Sequence, residues 1–308
     1  MNLNDPIFTD EAKARAYFEA IRWPNGPVCP HCGSTDKVYR LDGAAHRPGL
    51  IHCNGCDGSF TVTTGGVMES SHIPLTKWAL GFRLMAASKK GISAHQLHRM
   101  LGITYKSAWF MAMRIREAMG LPAKTPGKIG GPGKIVETDE TELAPSRKTK
   151  VKGRRSRAKH QKFVALVERD GKVRSAVLDG SKMMEVRKIV RENLDEASIL
   201  HTDGAQFYKA LMPLGQHESV DHNKMYARNS NNGRVHTNTA EGYFSLFKRG
   251  LVGTYQHISP AHLPRYLAEF DFRMNNRVAL GVNDDVRTER AVRGAEGKRL
   301  TYQGSSAA

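Results

Sequence analysis

The chain has 308 residues, 40% of them hydrophobic and 25% charged, the balance of a folded protein with two or three domains and a core of normal size. Its 47 Lys and Arg stand against 30 Asp and Glu, and a formal net charge of +17 points to a polyanionic partner, because neutralised phosphates release condensed counterions. No apolar run reaches the roughly 18 residues that a bilayer span needs, and residues 1–18 lack the apolar stretch of a secretory signal, so a cytoplasmic protein with reduced thiols and no membrane partner is expected.

The first motif comes from the cysteines. Cys29, Cys32, Cys53 and Cys56 form two Cys-x-x-Cys knuckles with 20 residues between them. Each knuckle lets two thiolates reach one ion, and two knuckles complete a tetrahedral shell, so residues 1–70 are expected to form a structural zinc ribbon with an N-terminal helix. Such a closed shell has no open position for substrate. His31 and His52, beside the ligands, are read as surface residues.

A helical region follows over residues 71–122. Trp78, Phe82 and Met85 recur at helical spacing. Ser93 caps a short helix with Leu97 and Leu101 facing inward, Gly102 ends it, and Thr104 caps a longer helix over residues 105–119 with Ala108, Ile115 and Met119 inside. Helix, glycine-containing turn and helix make a DNA-reading unit. The second helix is expected to offer Tyr105, Lys106, Arg114 and Arg116 to phosphates or bases. Residues 123–133, rich in Pro, Gly and Lys, read as a linker.

Residues 134–280 read as an α/β core. A strand over 134–141 holds Asp139. Strands over 163–167 and 173–178 flank the turn signal Asp170-Gly171 and form a hairpin. A helix over 183–193 precedes a strand over 198–202 that ends at Asp203-Gly204. A helix follows near 207–212, and a last one over 238–251 contains Glu241. This order resembles the ribonuclease-H-like fold, in which the first and fourth strands lie side by side. Asp139 and Asp203 would then converge, and the later helix would bring Glu241 across to them. Lys248 lies two turns after Glu241 on the same helix face, beside Arg249. Phosphodiester chemistry on two Mg²⁺ or Mn²⁺ ions, about 3.5–4 Å apart, needs such hard oxygen ligands. Glu137 shares the strand face of Asp139 and is expected to be a spare ligand, while Glu140 points away.

The segment His236-Thr-Asn-Thr-Ala-Glu-Gly-Tyr-Phe-Ser-Leu-Phe-Lys-Arg-Gly250, followed by Gly253-Thr-Tyr-Gln-His-Ile-Ser-Pro260, resembles bacterial insertion-sequence transposases of the ISXO-like group. The stretches His262-Leu263, Tyr266–Phe270 and Arg273–Arg277 extend the resemblance, which with the ribbon and both aspartate strands covers nearly the whole chain. It implies a DNA transposase with a DDE-type core. Asp139 and Asp203 would be the first two metal ligands. The third position is acidic in some members and Asn in others, with a lysine downstream. Glu241 is favoured here because a carboxylate binds Mg²⁺ better than an amide and Lys248 has the right offset; Asn238, on the same helix, competes.

The dense basic run over 147–162, including Arg154, Arg155 and Arg157, is expected to be a mobile loop that clamps DNA phosphates. Residues 281–308 are read as a helical extension and tail with no functional assignment. The reaction implied is hydrolysis at the element's end, then attack of the freed 3′-hydroxyl on target DNA. A dimer or larger assembly on terminal repeats and target, associated with the bacterial nucleoid, would hold two ends together. Two other readings stay open: a zinc-ribbon and helix-turn-helix DNA-binding regulator with an inactive core, and a plain nuclease of the same fold.

Overall fold

The computed structural model describes residues 2–121, 127–143, 150–151, 154–155, 161–179, 183–204, 216–221 and 224–301, with the backbone alone at 150–151, 154–155 and 183. The chain begins with α1 (Glu11–Arg22), β1 (Val38–Arg40), β2 (Ile51–Cys53) and β3 (Gly58–Phe60). Three helices follow: α2 (Leu75–Ala87), α3 (Ala94–Leu101) and α4 (Tyr105–Met119). The strands β4 (Ile135–Leu143), β5 (Lys150–Val151), β6 (Arg154–Arg155), β7 (Gln161–Glu168) and β8 (Val173–Leu178) come next. Then come α5 (Met183–Asn193), β9 (Ile199–Asp203), β10 (Gln216–Val220), β11 (Arg228–Ser230) and β12 (Gly233–Val235). The chain closes with α6 (Asn238–Gly250), α7 (Leu263–Asn275) and α8 (Asp284–Arg293). The helix read near 207–212 lies outside the described residues.

Two units divide these elements, Met1–Gly120 with Val282–Ala308, and Leu121–Gly281. In the first, β1, β2 and β3 make a small antiparallel sheet. Local chemistry starts each helix. Asp10 caps α1 by accepting from Ala12 N and Lys13 N, and Ser93 and Thr104 cap α3 and α4. Gly102 ends α3 at φ +58°, a left-handed conformation that costs glycine little. Helix α2 has no cap of its own. The Glu11 carboxylate supplies one from α1, accepting from Leu75 N at 2.8 Å and Thr76 N at 3.2 Å.

The stretch after residue 281 completes this first unit. Helix α8 packs on α2, where Arg83 pairs with Asp285 at 2.7 Å. Lys298 Nζ donates to the carbonyls of Glu117, Ala118 and Gly120 at 2.9, 3.2 and 2.7 Å, capping the end of α4 with a cation.

In the second unit a five-stranded sheet has the order β10-β9-β4-β7-β8. Strands β4, β7 and β8 run antiparallel, and β9 and β10 continue parallel to β4. Strand β7 is buried on both faces from Phe163 to Val167, and its alternation separates two packings. Val164 and Leu166 join Val136, Leu200 and the α5 residues Val186 and Val190 on one face. Phe163 points to the other, where it meets Phe244 and Phe247 of α6 at 5.4 and 5.1 Å; Phe247 in turn packs on Phe270 of α7 at 4.8 Å.

The stretch read as a linker is not free of this core. Ile129 is 5% exposed within the first cluster, and its backbone bonds to Asn193 O and Asp195 N. An apolar side chain beside an unfilled sheet face is drawn into it whatever the glycines around it allow. In the basic run β5 pairs antiparallel with β6, a short ladder that contains the backbone of Arg154 and Arg155. Arg157 lies outside the described residues. Among the described residues no helix is long and apolar enough to cross a membrane.

Candidate active site

The ribbon's four thiols converge. Cys29 and Cys56 sulfurs lie 3.6 Å apart, as do those of Cys32 and Cys53, and all four fall within 4.8 Å of one another. Zn–S bonds of about 2.3 Å would give a tetrahedron with edges of about 3.8 Å, so the group fits one zinc ion. Disulfides are excluded, since all four cysteines are free.

Opposite chemistry gathers on the second unit's sheet. The parallel register of β4 and β9 pairs Glu137 with His201 and Thr138 with Thr202, so by strand alternation Asp139 and Asp203, the next residue of each strand, fall on one face of the sheet. That face is the one covered by α6. Between β4 and α6 opens a cleft of about 620 Å³, lined by Asp139, Thr141, Glu241, Ser245, Lys248 and Arg249 among others. Two helical turns do place Glu241 and Lys248 together, with Arg249 beside them. Asp203 sits on the adjacent strand, outside this cleft's lining, and so does the exposed Asn238 in the first turn of α6. An all-oxygen donor set on one sheet face and one facing helix suits a hard divalent cation that keeps several waters.

Glu137 is not a spare ligand. It is fully buried, and both its oxygens are engaged. Oε1 accepts from Arg169 Nε at 2.7 Å and from Thr239 Oγ1 at 3.0 Å; Oε2 accepts from the backbone N–H groups of Thr239 and Ala240 at 2.7 and 3.1 Å. The carboxylate thus caps the N-terminus of α6, where Thr237 makes no side-chain cap. Arg169, in the β7–β8 turn, also donates from Nη2 to His201 Nδ1 at 3.1 Å and from Nη1 to Arg234 O at 2.9 Å. Burial, reinforced by the Arg169 cation, pulls the His201 ring down to about 4 and keeps it neutral. The bond at Nδ1 assigns the ring proton to Nε2.

In the first unit, the face expected to read DNA is smaller than the sequence suggests. Tyr105 is 44% exposed and stacks on His95 with ring centroids 4.3 Å apart, and Lys106 is exposed next to it. Arg114 is instead 8% exposed. It donates to Leu300 O at 3.2 Å and Glu69 O at 3.0 Å and lies over the Phe110 ring. Arg116 is buried at 2%. The cause is that α4 is enclosed almost all round beyond its first turn, so Arg114 satisfies carbonyls inside the unit and Arg116 donates to Met113 Sδ at 3.8 Å.

Comparison with known proteins agrees with this division. Residues 130–275 match the ISXO2-like transposase domain and residues 9–58 match the transposase zinc-ribbon domain. An uncharacterized protein in transposable element ISH50 of Halobacterium salinarum is 26% identical over 279 residues, 86% of this chain and 91% of that protein.

Proposed function

From a chain that belongs to the ISXO2-like transposases, with their zinc ribbon ahead of their transposase domain, we propose that it cuts DNA at the ends of an insertion sequence and joins the freed 3′-hydroxyl to target DNA. One observation carries this reading: Asp139 and Asp203 share a face of adjacent parallel strands, with Glu241 and Lys248 facing the same side from α6. The strand order, three antiparallel strands followed by two parallel ones, supports a ribonuclease-H-like core.

In this reading Asp139, Asp203 and Glu241 hold the catalytic Mg²⁺ or Mn²⁺ ions. Glu241 is preferred to Asn238 because it lines the cleft with Asp139. Bound there, a pair of such ions activates the attacking oxygen and stabilises the leaving one. Lys248 and Arg249 seat the scissile phosphate against the carboxylates and offset its charge. Tyr105 and Lys106 engage terminal-repeat DNA, and the basic run, with Arg154 and Arg155 on β6 and Arg157 after them in sequence, holds phosphates of donor or target. The zinc is structural, and a dimer or larger assembly pairs the two ends in the bacterial cytoplasm.

Strand joining on end-repeat DNA with Mg²⁺ tests the proposal. Asp203→Asn is expected to abolish cleavage and joining while DNA retention persists. Joining at the wild-type rate by that variant contradicts the proposal. Cleavage that is never followed by joining would instead identify a nuclease, and retention without any chemistry a DNA-binding regulator. Glu241→Gln is expected to lose far more than Asn238→Ala.

A further inference from the structure

Each proposed ligand follows, two residues later, a member of one polar group built around the buried Glu137 and His201. Glu137 precedes Asp139 on β4, His201 precedes Asp203 on β9, and Thr239 precedes Glu241 on α6. On a strand, residues two apart share a face, so Glu137 and His201 lie directly alongside the two aspartates. Arg169 ties the group together: its Nε reaches Glu137, its Nη2 reaches His201 Nδ1 and the His236 carbonyl at 3.2 Å. Elsewhere on this sheet face α6 makes apolar contacts through Phe163, Phe244 and Phe247, and one further polar contact, Tyr243 Oη to Ser175 Oγ at 3.4 Å.

Polar burial beside the two aspartates is not what stability alone selects. A buried ion pair is rarely better for stability than packed apolar side chains of the same volume. What it adds is direction. The two N–H···O bonds to Oε2 fix the first turn of α6 relative to β4, and the Arg169 bonds fix β4 relative to β9. The spacing among residues 139, 203 and 241 is thereby set from beneath.

We propose that Glu137, held by Arg169 and by the first turn of α6, is a positioning residue that sets the three carboxylates at the spacing a divalent cation requires. This rests on the assignment of Asp139, Asp203 and Glu241 as a metal site. Residues behind metal ligands commonly change affinity by about 10–100-fold when substituted.

The test is Mn²⁺ binding to the full-length protein, measured by calorimetry and by the electron paramagnetic resonance of free Mn²⁺. Glu137→Gln puts an amide N–H₂ and a weaker acceptor against four donors, and it is expected to weaken Mn²⁺ binding about 10–100-fold. Hydrogen exchange without metal at the amides of Thr239 and Ala240 is expected to quicken in the same variant. Thr239→Val removes a single bond to Glu137, keeps the backbone caps, and is expected to weaken binding on the order of threefold with little loss of melting temperature. Leu194→Ala, which opens a cavity under α5 on the other face of the sheet, controls for plain destabilisation and is expected to leave the Mn²⁺ affinity unchanged. Equal weakening by Leu194→Ala, or wild-type affinity in both Glu137→Gln and Thr239→Val, overturns the proposal. Asp203→Asn separates the two claims: if it abolishes Mn²⁺ binding while Glu137→Gln does not weaken it, only the positioning role fails. If Asp203→Asn itself leaves binding intact, the metal-site assignment fails and the positioning role with it.

Discussion

The ribbon thiols and the cleft carboxylates are held together by opposite means. The four sulfurs come from two knuckles of a three-stranded sheet and lie within 4.8 Å of one another. The carboxylates come from β4, β9 and α6, far apart in the chain, and depend on a larger scaffold beneath them: the Glu137–Arg169–His201 group and the Phe163, Phe247 and Phe270 stack. A site built from neighbours in sequence draws its order from the ion it binds. A site built across elements draws it from packing and hydrogen bonds that exist before any ion arrives.

The contrast breaks most readily at the ribbon. Stripping zinc with a chelator, or substituting Cys53→Ser, is expected to unfold β1–β3, because structural zinc contributes on the order of 10–16 kcal/mol to the folding of small ribbons and fingers. Limited proteolysis between residues 24 and 66 reads this directly, while Mn²⁺ binding by the second unit is expected to persist. A ribbon that stays protected without zinc would show that its sheet is self-sufficient.

The cleft is expected to fail through its scaffold instead. Phe247→Ala empties a fully buried position between the sheet and α7 and should cost about 3–5 kcal/mol in denaturant unfolding of the second unit. Mn²⁺ affinity should fall with it, although residue 247 touches no proposed ligand. Unchanged affinity would mean that the carboxylates hold their places without α6 being packed down.

A smaller effect sharpens the comparison within the first unit. Helices α1, α3 and α4 carry their own caps, so Thr104→Ala should cost about 1 kcal/mol and do so equally with and without zinc. A cost that appears only in the zinc-loaded protein would mean that the ribbon and the helices fold as one cooperative block.

What the sequence made legible follows the same line. Caps at Ser93 and Thr104, the glycine stop at Gly102, and the strand over 173–178 depend on a few adjacent residues, and they are where local chemistry places them. The paired knuckles are legible because thiolate chemistry restricts spacing. Asp139 beside Asp203 could be read only through the resemblance to a known strand order. Three features could not be read at all, because each depends on a distant segment. Arg114 is buried because Leu300, from the far end of the chain, brings it a carbonyl. Glu137 is a helix cap rather than a ligand because α6 arrives with free N–H groups. Arg169 carries no motif, and only the approach of β4, β9 and the stretch from Arg234 to His236 gives it partners.

The most direct measurement is a Mn²⁺ titration of the full-length protein and of its Asp139→Asn and Asp203→Asn variants, with melting temperature recorded for each. Each substitution alone is expected to remove the same high-affinity binding from a protein that remains folded. Wild-type Mn²⁺ stoichiometry and affinity in both variants would contradict a shared metal site on the faces of β4 and β9.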